Sequence, residues 1–430
     1  MNFFILDQQA RGHALAWKLA NSTTSRKIFL LREHPTPNLE NKIVNIVLSD
    51  IKASGFEEEI LAICHSQKID CVIIGTIYLM QKGLVDYLSK NNISVIGATK
   101  LSSKLEGSKL FSKKFMQKYN IPTPQYLKKE EIESTVSISN EWFPCMLKSD
   151  SVVKGCYSAI EIKTNEEFNI QKSIVINAQE KEGNTPDFFI EKLCTGYEVS
   201  FTVLLSKSSW RILPVCKDYK KLSKNTNMNT GGMGSTAPAL NSNDTIYIAI
   251  TAKIIKPIID GMRDDNLLYN GFLYFGIFVD ETAGPQLLEL NCRIGDPEAQ
   301  SLFMLAPDNF SDILCDTANN TVKKPLINWK KGASCTVYLS PKGYPEHCIV
   351  EKAFALDLNN KKCQYFLGAT GYNVDKKIFT TKNNRSFSIS SHAATLKEAK
   401  KNILDEIGTV PMDHLIYRED ILCDFDDTEH

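Results

Sequence analysis

The sequence has no excess of charge in either direction: fifty lysines and arginines offset fifty aspartates and glutamates. A neutral chain carries no electrostatic footprint for nucleic acid or an anionic membrane surface, so neither partner is expected. Long apolar runs are missing too. Phe3-Phe4-Ile5-Leu6 stops at Asp7, far short of a signal-peptide core, and no stretch is long enough to span a bilayer. A cytoplasmic protein is therefore expected. The twelve cysteines, from Cys64 to Cys423, form no C-x-x-C pair and have no metal-site histidine nearby, so reduced thiols acting as small apolar residues are expected. No G-x-G-x-x-G follows the first apolar run, which excludes a plain dinucleotide-binding protein. Internal repeats and low-complexity tracts are also lacking.

What is present is an ordinary globular composition, 43% hydrophobic and 23% charged over 430 residues. At about 150 residues per domain, that length suits two or three domains. The first hundred residues alternate apolar runs (3–6, 28–31, 43–47, 71–75, 93–96) with helical patterns (11–20, 56–66, 84–90). Strands that are apolar throughout, separated by helices, predict a doubly wound parallel sheet. Its ligands belong outside the carboxyl ends of the strands, around Asp7–Arg11 and Gly75–Tyr78. The pattern then predicts one helix over 105–119 and short strands at 145–148, 159–162 and 188–191. Strands follow at 199–205 and 211–216, then a Gly-rich loop over 222–235 and a helix over 244–262. A strand pair at 272–279 and 286–289 precedes a last region of strands with one helix at 396–407.

The most informative stretch is Leu287–Gln300, LLELNCRIGDPEAQ. A strand ending Glu289-x-Asn291 places two oxygen ligands on one face, because side chains alternate with period two. Carboxylate plus amide oxygen suits Mg²⁺, which takes its other ligands from phosphates and water. Arg293 reaches the same face with a planar fork for phosphate. A strand end with solvated charges would show the same alternation. Asn229-Thr230-Gly231-Gly232-Met233-Gly234 offers backbone N–H groups to an anion, although a Gly-rich loop is more often only a turn. Glu191 and Glu198 flank a tight turn, and Lys109 and Lys148 would be ordinary solvated lysines if taken singly.

The order Lys109, Lys148, Glu191, Glu198, Asn229–Gly234, Glu289, Asn291, Arg293 resembles that of ATP-grasp ligases, most closely the phosphoribosylamine–glycine ligase family. HALAWK (13–18), LEGSK (105–109), NTGGMG (229–234), GFLY (271–274), NCRIGDPE (291–298) and GYP (343–345) follow the family pattern in order over essentially the whole chain. The resemblance implies an α/β protein of three parts: a doubly wound N-terminal domain (1–100), an ATP-grasp module with a small lid near 123–190 (101–326), and an α+β C-terminal domain (327–430). It implies that Lys109 and Lys148 hold the ATP phosphates and that Lys154 belongs to the loop closing over them. Glu191 would lie at the adenine beside main-chain groups of Lys192 to Cys194, and Glu198 at the ribose. Glu289 and Asn291 would bind Mg²⁺ or Mn²⁺. Arg293 and Lys148 would act in catalysis. Asp218, Lys220, Asn229, Thr230, Gly231, Arg293 and Asp296 would bind the carboxylate substrate.

The departures from the family pattern cluster. The family's G-N-G-G-R-E-H loop reads Asp7-Gln8-Gln9-Ala10-Arg11-Gly12-His13, its G-P-E-A-P-L reads Gly75-Thr76-Ile77-Tyr78-Leu79-Met80, and its G-G-R reads Asn383-Asn384-Arg385. By the resemblance these segments form the amine pocket. The lid loop reads Ser149-Asp150-Ser151-Val152-Val153-Lys154-Gly155-Cys156-Tyr157, with fewer glycines than the family has. The expectation is an ATP- and Mg²⁺-dependent carboxylate–amine ligase acting through an acyl phosphate, using glycine or a similar small acid with an amine other than phosphoribosylamine. Phosphoribosylamine–glycine ligation itself and a non-catalytic nucleotide-binding homologue are the alternatives. Partners would be small molecules, and the chain a monomer or weak homodimer.

Overall fold

The computed structural model describes all residues except 34–36, 38–39, 49–50, 52, 136, 152–157, 227, 323–326, 359–361 and 424–430. Strands β1 (Asn2–Leu6), β2 (Lys27–Leu31), β3 (Ile43–Ile46), β4 (Cys71–Ile74) and β5 (Val95–Ile96) make a parallel sheet in the order β3-β2-β1-β4-β5. Phe3 and Ile5 face helix α1 (Ala10–Ala20), while Phe4 and Leu6 face α2 (Phe56–Ser66), α3 (Ile77–Lys82) and α4 (Leu84–Lys90). Two-sided burial explains the unbroken apolar runs. The strand order reverses between β1 and β4, so their carboxyl ends diverge around a crevice. The HALAWK segment also has a structural role in α1. The Leu367 N–H donates to His13 Nδ1 at 2.9 Å, and Trp17 meets Phe366 edge-on with centroids 5.6 Å apart. Burial, with Arg32 nearby, holds His13 well below the usual imidazole range.

The single helix expected over 105–119 is two: α5 (Lys104–Gly107) and α6 (Lys109–Lys118). Ser108 between them is extended, with φ −136° and ψ 113°, and its hydroxyl accepts the Phe111 N–H. Asp150 accepts the Leu110 N–H at 2.5 Å. A side-chain cap outcompetes helix continuation where Gly and Ser meet.

A four-stranded antiparallel sheet follows, β6 (Tyr126–Lys128), β7 (Cys145–Ser149), β8 (Ala159–Ile162) and β9 (Phe188–Lys192), in the order β6-β9-β7-β8. Phe168 and Val175 of helix Asn165–Lys181 pack onto it. Next, β10 (Gly196–Leu205) pairs with β11 (Trp210–Ile212), which ends before Pro214 and not at 216 as expected. Proline has no N–H for a ladder, which explains the early end. Strands β12 (Lys217–Asp218) and β13 (Gly234–Ala237) leave for another sheet, so the Gly-rich loop ends in a strand. Strands β14 (Gly271–Asp280) and β15 (Gly284–Asn291) complete the order β11-β10-β14-β15. The helical stretch before them runs from Thr245 to Asp264 with a wider π turn at Thr251–Ile255. Pro257 cannot donate to the carbonyl four residues back, and the wider turn absorbs the missing bond.

The remaining strands are β16 (Ala333–Pro341), β17 (Ala353–Phe354), β18 (Gln364–Leu367), β19 (Thr370–Asn373), β20 (Ile378–Thr381), β21 (Phe387–Ala393) and β22 (Leu415–Ile416). They build the sheet β12-β13-β16-β21-β18, with β22 beside β16, and a small sheet β17-β20-β19. The Gly-rich segment is thus hydrogen-bonded to the last hundred residues through the β13–β16 ladder.

Candidate active site between the central sheets

On β15 Leu290 is buried, as is Cys292 just past its end, while Glu289 and Asn291 share the opposite face with Asn291 Nδ2 3.5 Å from Glu289 Oε1. The facing residue on β14 is Gly276; a Cβ there would lie 3.1 Å from Glu289 Cγ and 3.6 Å from Glu198 Oε1. Glycine at that point lets two carboxylates approach one strand. Burial would raise the Glu289 carboxyl, but Lys220, Lys109, Lys148 and Arg293 together pull it down to about 2. Three of those cations keep carboxylate partners of their own, Lys148 with Glu191, Lys220 with Glu198 and Arg293 with Glu106, so the strand end gathers several cationic head groups beside open space. Anionic phosphates fit there. Among the described residues no group of three or more His, Cys, Asp or Glu side chains could hold a metal unaided. Glu289 and Asn291 therefore suit Mg²⁺ carried on phosphates, not a cage made by protein alone.

Lys109 lines a small cavity of about 110 Å³ with Glu106, Ser158, Glu289, Asn291 and Arg293. Burial lowers its pKa, as does Lys148, against the pull of Glu289. Arg293 is fixed by a residue that motif reading passed over. Glu106 accepts from Arg293 Nε at 2.9 Å and from the Cys292 N–H at 2.8 Å.

Glu191, expected at the adenine, has its side chain among lysines. Its carboxylate is 1% exposed, 2.5 Å from Lys148 Nζ, and also paired with Lys113. Each of its two oxygens is thus paired with a lysine. Lys192 donates to the Glu141 carbonyl and lies 4.8 Å over the Trp142 ring, while Cys194 is partly exposed at the start of the turn. Lys154 falls outside the described residues.

The second half of the site is a cavity of about 570 Å³, lined among others by Asp218, Lys220, Glu298, Tyr344, Asn384 and Arg385. Lys220 pairs with Glu198 and lies 3.6 Å from Glu289. Asp218 and Glu298 are both raised, first by burial and then, for Asp218, by the other's charge. Ser200 donates to Glu298 at 2.8 Å and lies 2.9 Å from the Tyr274 hydroxyl. Asp296 is bound by Arg385 (3.0 Å), Tyr338 (2.7 Å) and Gln300 (2.8 Å), which makes it a fixed wall. Thr230 caps its own turn, donating to the Lys220 carbonyl at 2.7 Å and accepting the Gly232 N–H at 3.0 Å. Arg385 grips the Gly231 and Gly232 carbonyls at 2.5 and 2.8 Å, and Asn229 donates to the Ala159 carbonyl at 3.4 Å. Sequence reading missed Glu106, Lys113, Tyr274 and Glu298. Glu298 lay inside the quoted NCRIGDPE, and Lys113 one helical turn beyond Lys109.

The crevice between β1 and β4 is filled from within. Asp7 is 3% exposed, accepts from Arg11 Nε at 2.5 Å and takes the Gln9 N–H at 3.0 Å. Arg11 also donates to the Gly75 carbonyl at 2.7 Å. The Asp7 carboxylate presses so close to Gly75 that a Cβ there would collide with it. About 20 Å³ remains, room for one water.

Among protein families, a model described as "Phosphoribosylglycinamide synthetase, N domain" matches residues 1–106, and one described as "Phosphoribosylglycinamide synthetase, ATP-grasp (A) domain" matches 107–299. Curated relatives named phosphoribosylamine–glycine ligase include that of Pasteurella multocida, 28% identical over 98% of this chain and 97% of the relative. Another is that of Escherichia coli K12, 27% identical over 98% of both. In fold the chain is similar to the crystal structure of phosphoribosylamine–glycine ligase from Thermotoga maritima (TM-score 0.78, 23% identity, 98% of this chain and 100% of that one). It is also similar to biotin carboxylase from Campylobacter jejuni in a β,γ-ATP complex (TM-score 0.71, 12% identity, 98% and 94%).

Proposed function

The chain belongs to the phosphoribosylglycinamide synthetase family, and on that premise we propose that it joins glycine to phosphoribosylamine, at the expense of ATP, in the reaction for which its relatives are named. At the coarser level it is an ATP-grasp carboxylate–amine ligase that forms ADP and phosphate. The observation that carries the reading is the pairing of a cation-rich pocket around Glu289 with an adjoining cavity lined by Asp218 and Glu298.

In the first step a carboxylate oxygen attacks the γ-phosphorus, the bond to ADP breaks, and an acyl phosphate forms. In the second, an amine nitrogen attacks the acyl carbon and phosphate leaves, with one proton lost from nitrogen. Lys109 and Lys148 hold the phosphates, and Arg293, braced by Glu106, meets the charge on the transferring phosphoryl group. Mg²⁺ on Glu289 and Asn291 supplies charge neutralisation when bound. Asp218 and Glu298, both raised by burial, with the charge of Glu298 adding to the rise at Asp218, suit the ammonium of an amino acid, and their elevated carboxyls suit proton acceptance. Most of the catalysis is positioning.

A second reading is favoured by one observation, the Asp7–Arg11 pair in the crevice at the start of α1. A helix N-terminus after β1 is a ready anion site, and here the chain's own carboxylate holds it. That favours an acceptor amine without a phosphate. Both readings are tested by ADP release with glycine, using phosphoribosylamine and a panel of small amines in turn, with hydroxylamine to trap the acyl phosphate. Efficient glycinamide ribonucleotide formation supports the first reading. Hydroxamate formation with little product from phosphoribosylamine replaces it with the second. No nucleotide-dependent rise in melting temperature and no ADP overturn both.

A further inference from the structure

Beneath the phosphate pocket lies a buried group of three charges, Lys113, Lys148 and Glu191, of which the reaction scheme uses only Lys148. Lys113, on the inner face of α6, is 1% exposed, and its ammonium sits 5.7 Å from the Tyr126 ring. It pairs with Oε2 of Glu191 while Lys148 takes Oε1 at 2.5 Å. Lys113 also donates to Thr123 Oγ1 at 2.5 Å, and Thr123 donates to the Leu287 carbonyl at 2.7 Å. One ammonium therefore ties together α6, β9 of the smaller sheet and β15 of the larger, the two sheets between which the nucleotide would lie. Burial lowers the Lys113 pKa to about 8 although Glu191 opposes that shift, so the group is still charged at neutral pH.

Charge counting makes the arrangement informative. Two cations share one carboxylate, leaving one positive charge over. A buried pair is costly to break when one partner is left alone. With only Lys148 beside it, Glu191 would hold that lysine, and a phosphate would have to strip it away. With Lys113 present, Glu191 stays paired whichever way Lys148 turns. We propose that Lys113 is a positioning residue for the nucleotide: it keeps Glu191 permanently occupied and so frees Lys148 to exchange that carboxylate for an ATP phosphate. The inference rests on the ATP-binding reading above.

The test is a double-mutant cycle with Lys113→Met and Glu191→Gln, reading ATP affinity by calorimetry and KM for ATP alongside kcat, on proteins whose fold is checked by circular dichroism. Lys113→Met should weaken ATP binding and raise KM for ATP by about tenfold or more, the worth of one charged hydrogen bond, with a smaller change in kcat. Adding Glu191→Gln should restore most of the loss, since no carboxylate then competes for Lys148. A residue needed only for packing would not be rescued in this way. If Lys113→Met does not fold, Glu191→Gln is compared with the double variant, and Lys113 should matter little in that background. Unchanged ATP affinity in Lys113→Met, or a double variant as impaired as the single one, overturns the proposal. Failure of wild-type protein to bind ATP would instead sink the underlying reading.

Discussion

The two ends of the site handle charge in opposite ways. Around Glu289 four cations converge and hold that carboxyl near 2, while three of them also keep carboxylate partners of their own beside an open cavity. At the carboxyl end of β1 the books are closed: Asp7 and Arg11 neutralise each other, and the Asp7 carboxylate takes the N–H of Gln9 just ahead of α1. Both places have an architecture that favours anions. Only the first has room beside its cations for an anion from outside. Cations gathered beside open space therefore say where a ligand belongs, and a pair closed on itself in a filled crevice says where the chain has served as its own ligand.

The sharpest way to break this comparison is at the open end. Arg293→Ala should cut kcat by about a thousandfold or more, as when the cation stabilising a phosphoryl transition state is removed. Glu106→Gln, which leaves Arg293 present but unbraced, should cost about tenfold to a hundredfold, as when a partner that orients a functional group is lost. Steady-state ADP release measures both, and equal losses would mean that Glu106 itself touches the reacting groups.

The closed end is tested by Asp7→Asn. Releasing Arg11 from its partner should improve the use of a phosphate-bearing amine, lowering its KM by about tenfold, while KM values for ATP and glycine stay put. An unchanged KM for that amine would show that the Asp7–Arg11 pair does not gate its entry.

The smallest expected effect is on stability in acid. Glu289 stands at about 2 in the fold against an ordinary 4.5, so on acidification the unfolded chain takes up its proton first. Its contribution is complete above about pH 4.5 and fades as pH falls through about 2. The melting temperature of Glu289→Gln should lie below that of wild type at neutral pH, and the gap should narrow on acidification. A constant gap would mean that the surrounding cations do not set the charge on Glu289.

Much of this was legible in the sequence because local patterns carried it. Two-sided burial wrote the parallel strands as apolar runs, and the alternation in LLELN put Glu289 and Asn291 on one face of β15, whereas Arg293 lies just past the end of that strand. Ion pairs between distant segments were not legible. Nothing in the spacing joins Glu106 to Arg293, or Glu191 to Lys148 and Lys113, because Glu106 and Lys113 sit on helices far along the chain from their partners and Lys148 meets Glu191 only through the pairing of β7 with β9. The break at Ser108 had a local signal, a Gly-Ser step inside a helical pattern, outweighed by the longer periodicity. Lys113 also had one, since it lies four residues after Lys109 and so on the same helical face.

The ladder between β13 and β16 bears on how the protein could be dissected. Gly234–Ala237 lies between β12 and β16, so scission ahead of residue 327 would leave one fragment with an unpaired strand edge and the other with a torn sheet. Neither piece would make a sound expression target, since naked edges recruit foreign strands. Fragment complementation, with the two halves produced together, is the form in which such a cut could succeed. The loop from Asn229 to Gly234 would then acquire its shape only on reassembly.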